Sequence, residues 1–265
     1  MNPEIITSTA NQRVRNLLKL HKKSERIQQR LILVEGWREI KHAFDGGLQL
    51  KTIFLSEEKA NQGLLAEASV FCDEIVILGN SVFEKISYRE NVEGVLATCK
   101  PRILSLDSLH LRPNPLMVVL ESVEKPGNLG AILRTAEAAA VDAVLVCDPL
   151  TDIFNPNVIR ASLGCVFTVP VIACESKEAT IFFKEKNIHI IAAALTGSQR
   201  YDTIDYSFPT AFVLGSEANG LSDLWLKAAD QAVLIPMLGR HDSLNVAASA
   251  AILVFEALRQ REFKS

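Results

Sequence analysis

Three short stretches in the second half of the chain gather Gly, Asn, Ser and Glu beside single charged or apolar residues. The first runs Glu124-Lys-Pro-Gly-Asn-Leu-Gly130 and continues Ala-Ile-Leu-Arg-Thr-Ala136. Asn128 is placed to cap a helix. Ile132, Leu133, Ala136 and Ala140 then share the core side, which leaves Arg134 and Glu137 together on the other. A guanidinium held by a carboxylate suits a phosphate or ribose ligand, and it equally suits a plain surface ion pair. The second stretch, Gly215-Ser-Glu-Ala-Asn-Gly220, follows the apolar run Ala211 to Leu214. Its glycines permit close approach of a ligand to the backbone. Glu217 can read ribose hydroxyls or face a cation, although a simple turn cornered at Asn219-Gly220 uses the same residues. The third runs from Ile235 through Pro236, Met237 and Gly239 to Ser243, Leu244, Asn245 and Val246. Ser243 reads as a helix N-cap. Asn245 has poor helix propensity, so its amide can bond a ligand or tie this loop to another, although local capping or core packing accounts for it as well. Met237 and Leu244 offer an apolar slot to a flat ring.

Other chemistries lack support. The first stretch is not G-x-G-x-x-G, so a dinucleotide fingerprint is missing. The five cysteines (Cys72, Cys99, Cys147, Cys165 and Cys174) include no C-x-x-C pair and read as small buried hydrophobes. The five histidines are scattered, so no metal is expected.

The elements that must position the loops follow from apolar runs. In the second half, strands are expected at Leu116 to Leu120, Ala143 to Val146, Thr168 to Ile172, Ile188 to Leu195, Thr210 to Leu214 and Ala232 to Ile235. Helices fall between them: Gly127 to Ala140, Asn157 to Leu163, Lys177 to Lys186, Leu221 to Ala229 and Leu244 to Gln260. Continuously apolar strands mean a parallel sheet covered on both faces, and ligands of such sheets bind beyond the carboxyl ends of the strands. In the first half, a helix from Asn11 to Lys23 precedes four short apolar runs at residues 31–34, 52–55, 74–78 and 94–97. Helical patterns lie between those runs, which predicts a small α/β sandwich domain. The proline-rich stretch from Pro101 to Pro115 reads as a linker. The expected division is residues 1–105 and 115–265.

The length of 265 residues agrees with about two domains. Hydrophobic residues make up 48% and charged residues 22%, which excludes disorder along the whole chain. No apolar run approaches the roughly 20 residues of a membrane span, and the N-terminus lacks a signal-peptide pattern. The expected location is the cytoplasm, with no membrane partner. The net charge of −3 alone disfavours nucleic acid. It is unevenly spread, however. Residues 1–30 hold Arg13, Arg15, Lys19, Lys22, Lys23, Arg26 and Arg30 against Glu4 and Glu25, while residues 115–265 hold twelve cations against seventeen anions. A basic arm on an acidic body can touch phosphate without making the protein basic overall.

Taken together, P-G-N-L-G-A-I-L-R-T-A, G-S-E-A-N-G-L-S and I-P-M followed by S-L-N-V-A resemble the three motifs of the SpoU (TrmH) family. These are RNA ribose 2′-O-methyltransferases of the SPOUT superfamily. The segment Asn155 to Gly164 is similar to the piece between the family's motifs. In the first half, I-x-S-x-x-N at Ile6 to Asn11 and Val34-Glu-Gly36 look like the substrate-binding domain that many members carry, similar to a small RNA-binding ribosomal-protein fold.

The resemblance implies a C-terminal parallel-sheet domain threaded as a trefoil knot, a homodimer formed through that domain, and S-adenosylmethionine as cofactor. The implied cofactor pocket comprises Leu195, Thr196, Gly197, Gly215, Glu217, Ile235, Met237, Ser243, Leu244 and Asn245. The implied catalytic group is Arg134 with Asn128 and Asn245, the arginine acting as base or as phosphate clamp. Arg13, Arg15, Lys22, Lys23, Arg26, Arg30 and Lys125 are the expected RNA contacts. Lys125-Pro126 stands where members often carry Asp-Pro, and Gly239-Arg-His-Asp242 is an uncommon filler. The expected activity is methyl transfer to ribosomal or transfer RNA, with the two-domain layout leaning to ribosomal RNA. The competing readings are a catalytically silent RNA-binding protein of the same fold, acting in ribosome assembly, and a nucleotide-dependent oxidoreductase.

Overall fold

Covering both faces of a sheet forces its strands to be apolar throughout, and the central strands of both sheets here show it. A computed structural model describes residues 3–88, 93–195 and 199–264. They form two units. One comprises residues 1–102 with 154–168, the other 103–153 with 169–265.

The first unit holds strands β1 (Glu4–Ile6), β2 (Ile32–Glu35), β3 (Leu50–Ser56), β4 (Ile75–Leu78) and β5 (Val95–Cys99), in the order β1-β4-β3-β5-β2. The first three in that order are parallel, and β5 runs antiparallel to β3 and β2. Helices α1 (Gln12–Lys19), α2 (Lys23–Gln29), α3 (Trp37–Asp45), α4 (Gln62–Phe71) and α5 (Asn80–Ile86) pack with these strands. Val14 and Leu17 of α1 enter a core with Phe54, Leu78, Phe83 and Leu96. The sequence predicts one helix over residues 11–23, but two form. Asn11 caps the first by accepting the Arg13 N–H at 2.8 Å. Arg26 then donates to the carbonyls of Leu20 (2.8 Å) and His21 (3.0 Å), satisfying acceptors that a continuing helix would have used. β1 carries no such apolar run, so its sequence gives no strand signal.

The second unit is built on β6 (Leu116–Glu121), α6 (Pro126–Ala138) and β7 (Ala143–Cys147). The next two helices, α7 (Pro156–Ala161) and α8 (Cys165–Thr168), belong to the first unit, where α8 packs on α3. The chain continues through β8 (Val171–Cys174), α9 (Ser176–Lys186), β9 (His189–Ala193), β10 (Gln199–Arg200), β11 (Thr210–Leu214), α10 (Asp223–Ala228), β12 (Gln231–Leu234) and α11 (Val246–Gln260). The strand expected at residues 168–172 starts at Val171 because residues 165–168 close a helical turn.

All seven strands of the second sheet are parallel, ordered β10-β12-β9-β11-β6-β7-β8. Every residue of β7 and β11 is buried. On one side, Trp225 is fully buried with Phe183 and donates its indole N–H to Ser176 Oγ at 2.9 Å. On the other side, α11 packs on α6 and β11. Ile132, Leu133 and Ala136 of α6 are buried as expected, but Ala139, not Ala140, joins them. At the amino end of the sheet, Asp142 accepts from the backbone N–H of Arg112 and Leu116 and from the Arg112 guanidinium. Burial alone would raise this carboxyl, but those donors hold it below the usual carboxylate range. Among the described residues, no helix is long and apolar enough to cross a membrane.

Candidate active site at the carboxyl ends of the second sheet

Four neighbouring strand ends bring the expected loops together. β9, β11 and β6 are in register so that Ala193 pairs with Leu214 and Leu214 with Leu120. On the other flank Val233 pairs with Ala193. Leu195, Gly215 and Ile235 therefore follow three adjacent strands at the carboxyl end of the sheet.

The first loop leaves β6 through Ser122, whose φ of 52° turns the chain sharply. Its N–H donates to the Cys147 carbonyl at 2.9 Å, and the Thr151 hydroxyl donates to the Glu124 carbonyl. Helix α6 then starts with Pro126 in its first turn, where a missing N–H costs nothing. Lys125 is the N-cap residue and provides no side-chain cap. Asn128 is thus inside the first turn and is not the cap that its type suggested, which leaves its amide free to point elsewhere.

The second loop closes on itself. Gly220 N–H donates to the Ser216 carbonyl at 2.9 Å, and Asn219 N–H to Ser216 Oγ at 3.1 Å. A Cβ on Gly215 would lie 2.1 Å from the Gly220 carbonyl carbon, so only glycine allows this closure. Glu121, at the end of β6 and buried, accepts the Ser222 N–H at 2.8 Å and pins the loop's exit. Sequence reasoning missed that residue; its one signal is a carboxylate ending an apolar strand.

The third loop ends at Asn245, which is the N-cap of α11 and accepts the Ala247 N–H at 3.0 Å. Ser243, read from the sequence as the cap, stands outside the helix because Asn245 takes that place.

Four side chains join the loops. Asn128 Nδ2 donates to Glu217 Oε1 at 3.0 Å. Asn245 Nδ2 donates to the same oxygen at 2.9 Å and to Asn128 Oδ1 at 3.0 Å. Lys125 Nζ pairs with Glu217 Oε2. The Lys125 ammonium, then Asn128 and Asn245, hold the Glu217 carboxyl below the usual carboxylate range. The same ion pair raises the Lys125 ammonium. A cleft of about 100 Å³ opens beside this cluster, lined by Val123, Glu124, Lys125, Asn128, Gly215–Ala218 and Val246.

Other expected site residues are placed less tightly. Arg134 is exposed on α6, with neither a hydrogen bond nor an ion pair to Glu137 among the described residues, and the structure does not join it to the cluster. Ile235 and Met237 are half-buried, while Leu195, Ser243 and Leu244 are exposed. Thr196 and Gly197 lie outside the described residues. In the first unit, Arg15, Lys22, Lys23 and Arg30 are exposed. Arg13 is engaged by Glu4 at 2.7 Å and by Glu74. Arg26 is corrected: at 5% exposure, with its guanidinium on main-chain carbonyls, it is a buried structural residue and not a surface phosphate contact.

Residues 115–255 match the SpoU rRNA Methylase family, and residues 11–97 match the MRM3-like substrate binding domain. The chain is 30% identical over 250 residues to the 23S rRNA (guanosine(2553)-2'-O)-methyltransferase RlmP of Bacillus subtilis, covering 94% of this chain and 97% of that one. A crystal structure of an RNA 2'-O ribose methyltransferase is 37% identical with a TM-score of 0.85, covering 97% of this chain and 99% of that one. The AdoMet-bound rRNA methyltransferase from Sinorhizobium meliloti is 30% identical with a TM-score of 0.89, covering 99% of each.

Proposed function

Because this chain belongs to the SpoU rRNA methylase family, we propose that it methylates a ribose 2′-hydroxyl of ribosomal RNA, with S-adenosylmethionine as methyl donor. The observation that carries the reading is the closure of three separate loops by Asn128, Glu217 and Asn245 at the carboxyl ends of a parallel sheet. Bound there, S-adenosylmethionine supplies an electrophilic sulfonium methyl.

The chain's own residues fit that donor. Leu195, Ile235, Met237 and Leu244 provide apolar surface for a flat ring along adjacent strand ends, and Gly215 keeps the backbone between them free of a side chain. Glu217 is held ionised, so a carboxylate faces a site meant for a cation. Asn128 and Asn245 each spend their amides on fixed partners, which preorganises the loops before any ligand arrives.

Arg134 serves in this reading as a clamp on the target phosphate. A guanidinium has a pKa above about 12, so using it as a base is costly, whereas its planar fork matches phosphate oxygens. Its unpaired state on α6 leaves the fork available. Arg15, Lys22, Lys23 and Arg30 of the first unit supply further phosphate contacts, the long-range part of RNA binding. The reading also includes the trefoil knot and a homodimer formed through the second unit. Phe255, exposed on α11, is the kind of apolar group that such an interface covers.

The test is transfer of labelled methyl from S-adenosylmethionine to unmethylated 23S rRNA and, separately, to tRNA, followed by mapping of 2′-O-methyls. A single labelled ribose in rRNA is expected. RNA binding without any transfer would sink the reading and favour the silent RNA-binding alternative.

A further inference from the structure

Cys147 and Cys174 end two adjacent strands of the second sheet. They are register partners at the last positions of β7 and β8, and their sulfurs lie 3.7 Å apart. Parallel neighbours set their Cα atoms about 4.8 Å apart, inside the window of about 4.4–6.8 Å that a disulfide requires. The sulfurs must approach to about 2 Å, which side-chain rotation supplies. Both thiols are free; Cys147 is buried and Cys174 half-buried.

The two thiols are also chemically unequal. The hydrogen bond from Cys147 favours a thiolate at Cys174 and lowers it from the ordinary thiol value. The same contact, with burial, pushes Cys147 far up. Reactivity needs access, so the half-buried Cys174 attacks first and the buried Cys147 resolves. Two of the other thiols differ: burial raises Cys72, and burial pushes Cys99 up to about 12. The pair also touches the first loop of the site. The Cys147 carbonyl accepts the Ser122 N–H at 2.9 Å, and the Asp148 N–H donates to the Cys174 carbonyl at 3.0 Å.

We infer that Cys147 and Cys174 form a peroxide-sensitive dithiol, a reversible oxidation site at the strand ends next to the first loop. The Cys174 thiolate attacks one oxygen of hydrogen peroxide. The O–O bond breaks, a sulfenic acid forms, and hydroxide leaves as water after taking a proton. The Cys147 sulfur then attacks Cys174 Sγ. The S–O bond breaks, the S–S bond forms, and the second oxygen leaves as water with the Cys147 proton. Two thiols are oxidised and one peroxide is reduced to two waters. This inference stands on strand geometry and is independent of the RNA that the site serves.

The test uses the full-length reduced protein, treated with hydrogen peroxide, quenched, unfolded and titrated for thiols. Loss of two of the five thiols is expected, with a mass lower by two hydrogens and a cross-linked peptide joining residues 147 and 174, all reversed by dithiothreitol. In Cys147→Ser, Cys174 is expected to stop at the sulfenic acid, gaining one oxygen and reacting with dimedone. The inference is overturned if all five thiols survive. It is equally overturned if the cross-link joins other cysteines, or if wild-type Cys174 gains two oxygens with no disulfide. The wild-type readings decide the matter even if the serine variant does not fold.

Discussion

Asn245 donates its amide to Asn128 Oδ1 at 3.0 Å across 117 positions of sequence, and the same nitrogen reaches Glu217 Oε1 at 2.9 Å. One side chain thus caps the last helix, ties it to the first turn of α6, and fixes the carboxylate of the loop between them. None of these tasks is catalytic in itself. Together they set the distance between the three loops.

Asn245→Ala removes all three of these bonds. Loss of an N-cap costs about 1 kcal/mol, so thermal unfolding is expected a few degrees lower. The larger loss is in methyl transfer, because a misplacement of about 1 Å can cost roughly 10²-fold in rate. Single-turnover kinetics on the rRNA substrate checks this. A variant with the lowered melting temperature but an unchanged rate would detach the cluster from the chemistry.

The Glu217 carboxyl sits below its ordinary value in the folded chain because of Lys125, Asn128 and Asn245. The sign is that of a depressed acid. The cluster's contribution is complete above the ordinary carboxylate value and disappears as pH falls through the lower folded value. Donor affinity is therefore expected to weaken only in distinctly acid solution. Lys125→Ala removes the largest stabiliser of the ionised form, so the acid limb should move to higher pH. Glu217→Gln should abolish the limb. Calorimetric titration with S-adenosylmethionine across the acid range measures all three proteins, and coincident limbs in wild type and Lys125→Ala would refute the assignment.

Arg134 is exposed and, among the described residues, unpaired, so Arg134→Ala should leave stability within about 0.5 kcal/mol. Donor binding should also be retained, while transfer to RNA falls roughly 10²-fold. Arg134→Lys keeps the charge but not the fork, and a clamp predicts only partial recovery. Full transfer activity in Arg134→Ala would remove the residue from the mechanism.

The basic arm divides into two kinds of residue. Lys22→Ala and Lys23→Ala should weaken RNA binding at every sequence. Each should also reduce the salt slope by about 1, the share of one neutralised phosphate. Their melting temperatures should not change. Arg26→Ala should instead destabilise the fold by about 2 kcal/mol, since charged hydrogen bonds to two carbonyls vanish from a buried position. Filter binding over a salt series, paired with thermal melts, separates the two kinds.

The order of elements is readable because strands covered on both faces leave long apolar runs, as in Val144 to Cys147 and Ala211 to Leu214. The three loops are readable for a different reason. Gly, Asn and Glu at strand ends have no packing role to explain them. Local capping is not readable. Asn128, Ser243 and Asn245 are all good capping types, yet only Asn245 caps, while the amides of both asparagines reach Glu217. Arg26 misleads because charge counting ignores burial, and its neighbours on the helix give no hint that two carbonyls await it. Lys125 departs from the common acidic residue, and the structure shows its partner to be Glu217, a pairing 92 residues long that no local pattern carries. The assignment of residues 154–168 to the first unit is hidden for a similar reason, since it depends on packing against α3.

Gly215 gives the sharpest steric test. In Gly215→Ala the new methyl meets the Gly220 carbonyl carbon and oxygen at 2.1 Å and the Leu221 nitrogen at 2.5 Å, distances that no relaxation of a side chain can relieve because all three atoms are backbone. The loop must open, which breaks the Ser216–Gly220 bridge and swings Glu217 away from Asn128 and Asn245. The buried strand Thr210–Leu214 lies before the clash and keeps its partners β6 and β9, so the fold should survive with a modest fall in melting temperature. Donor affinity should fall far more than stability, because the carboxylate and the backbone edge of the site move together. Calorimetric titration and thermal melting of the one variant give both quantities. Equal losses in the two would mean that Gly215 serves the fold alone.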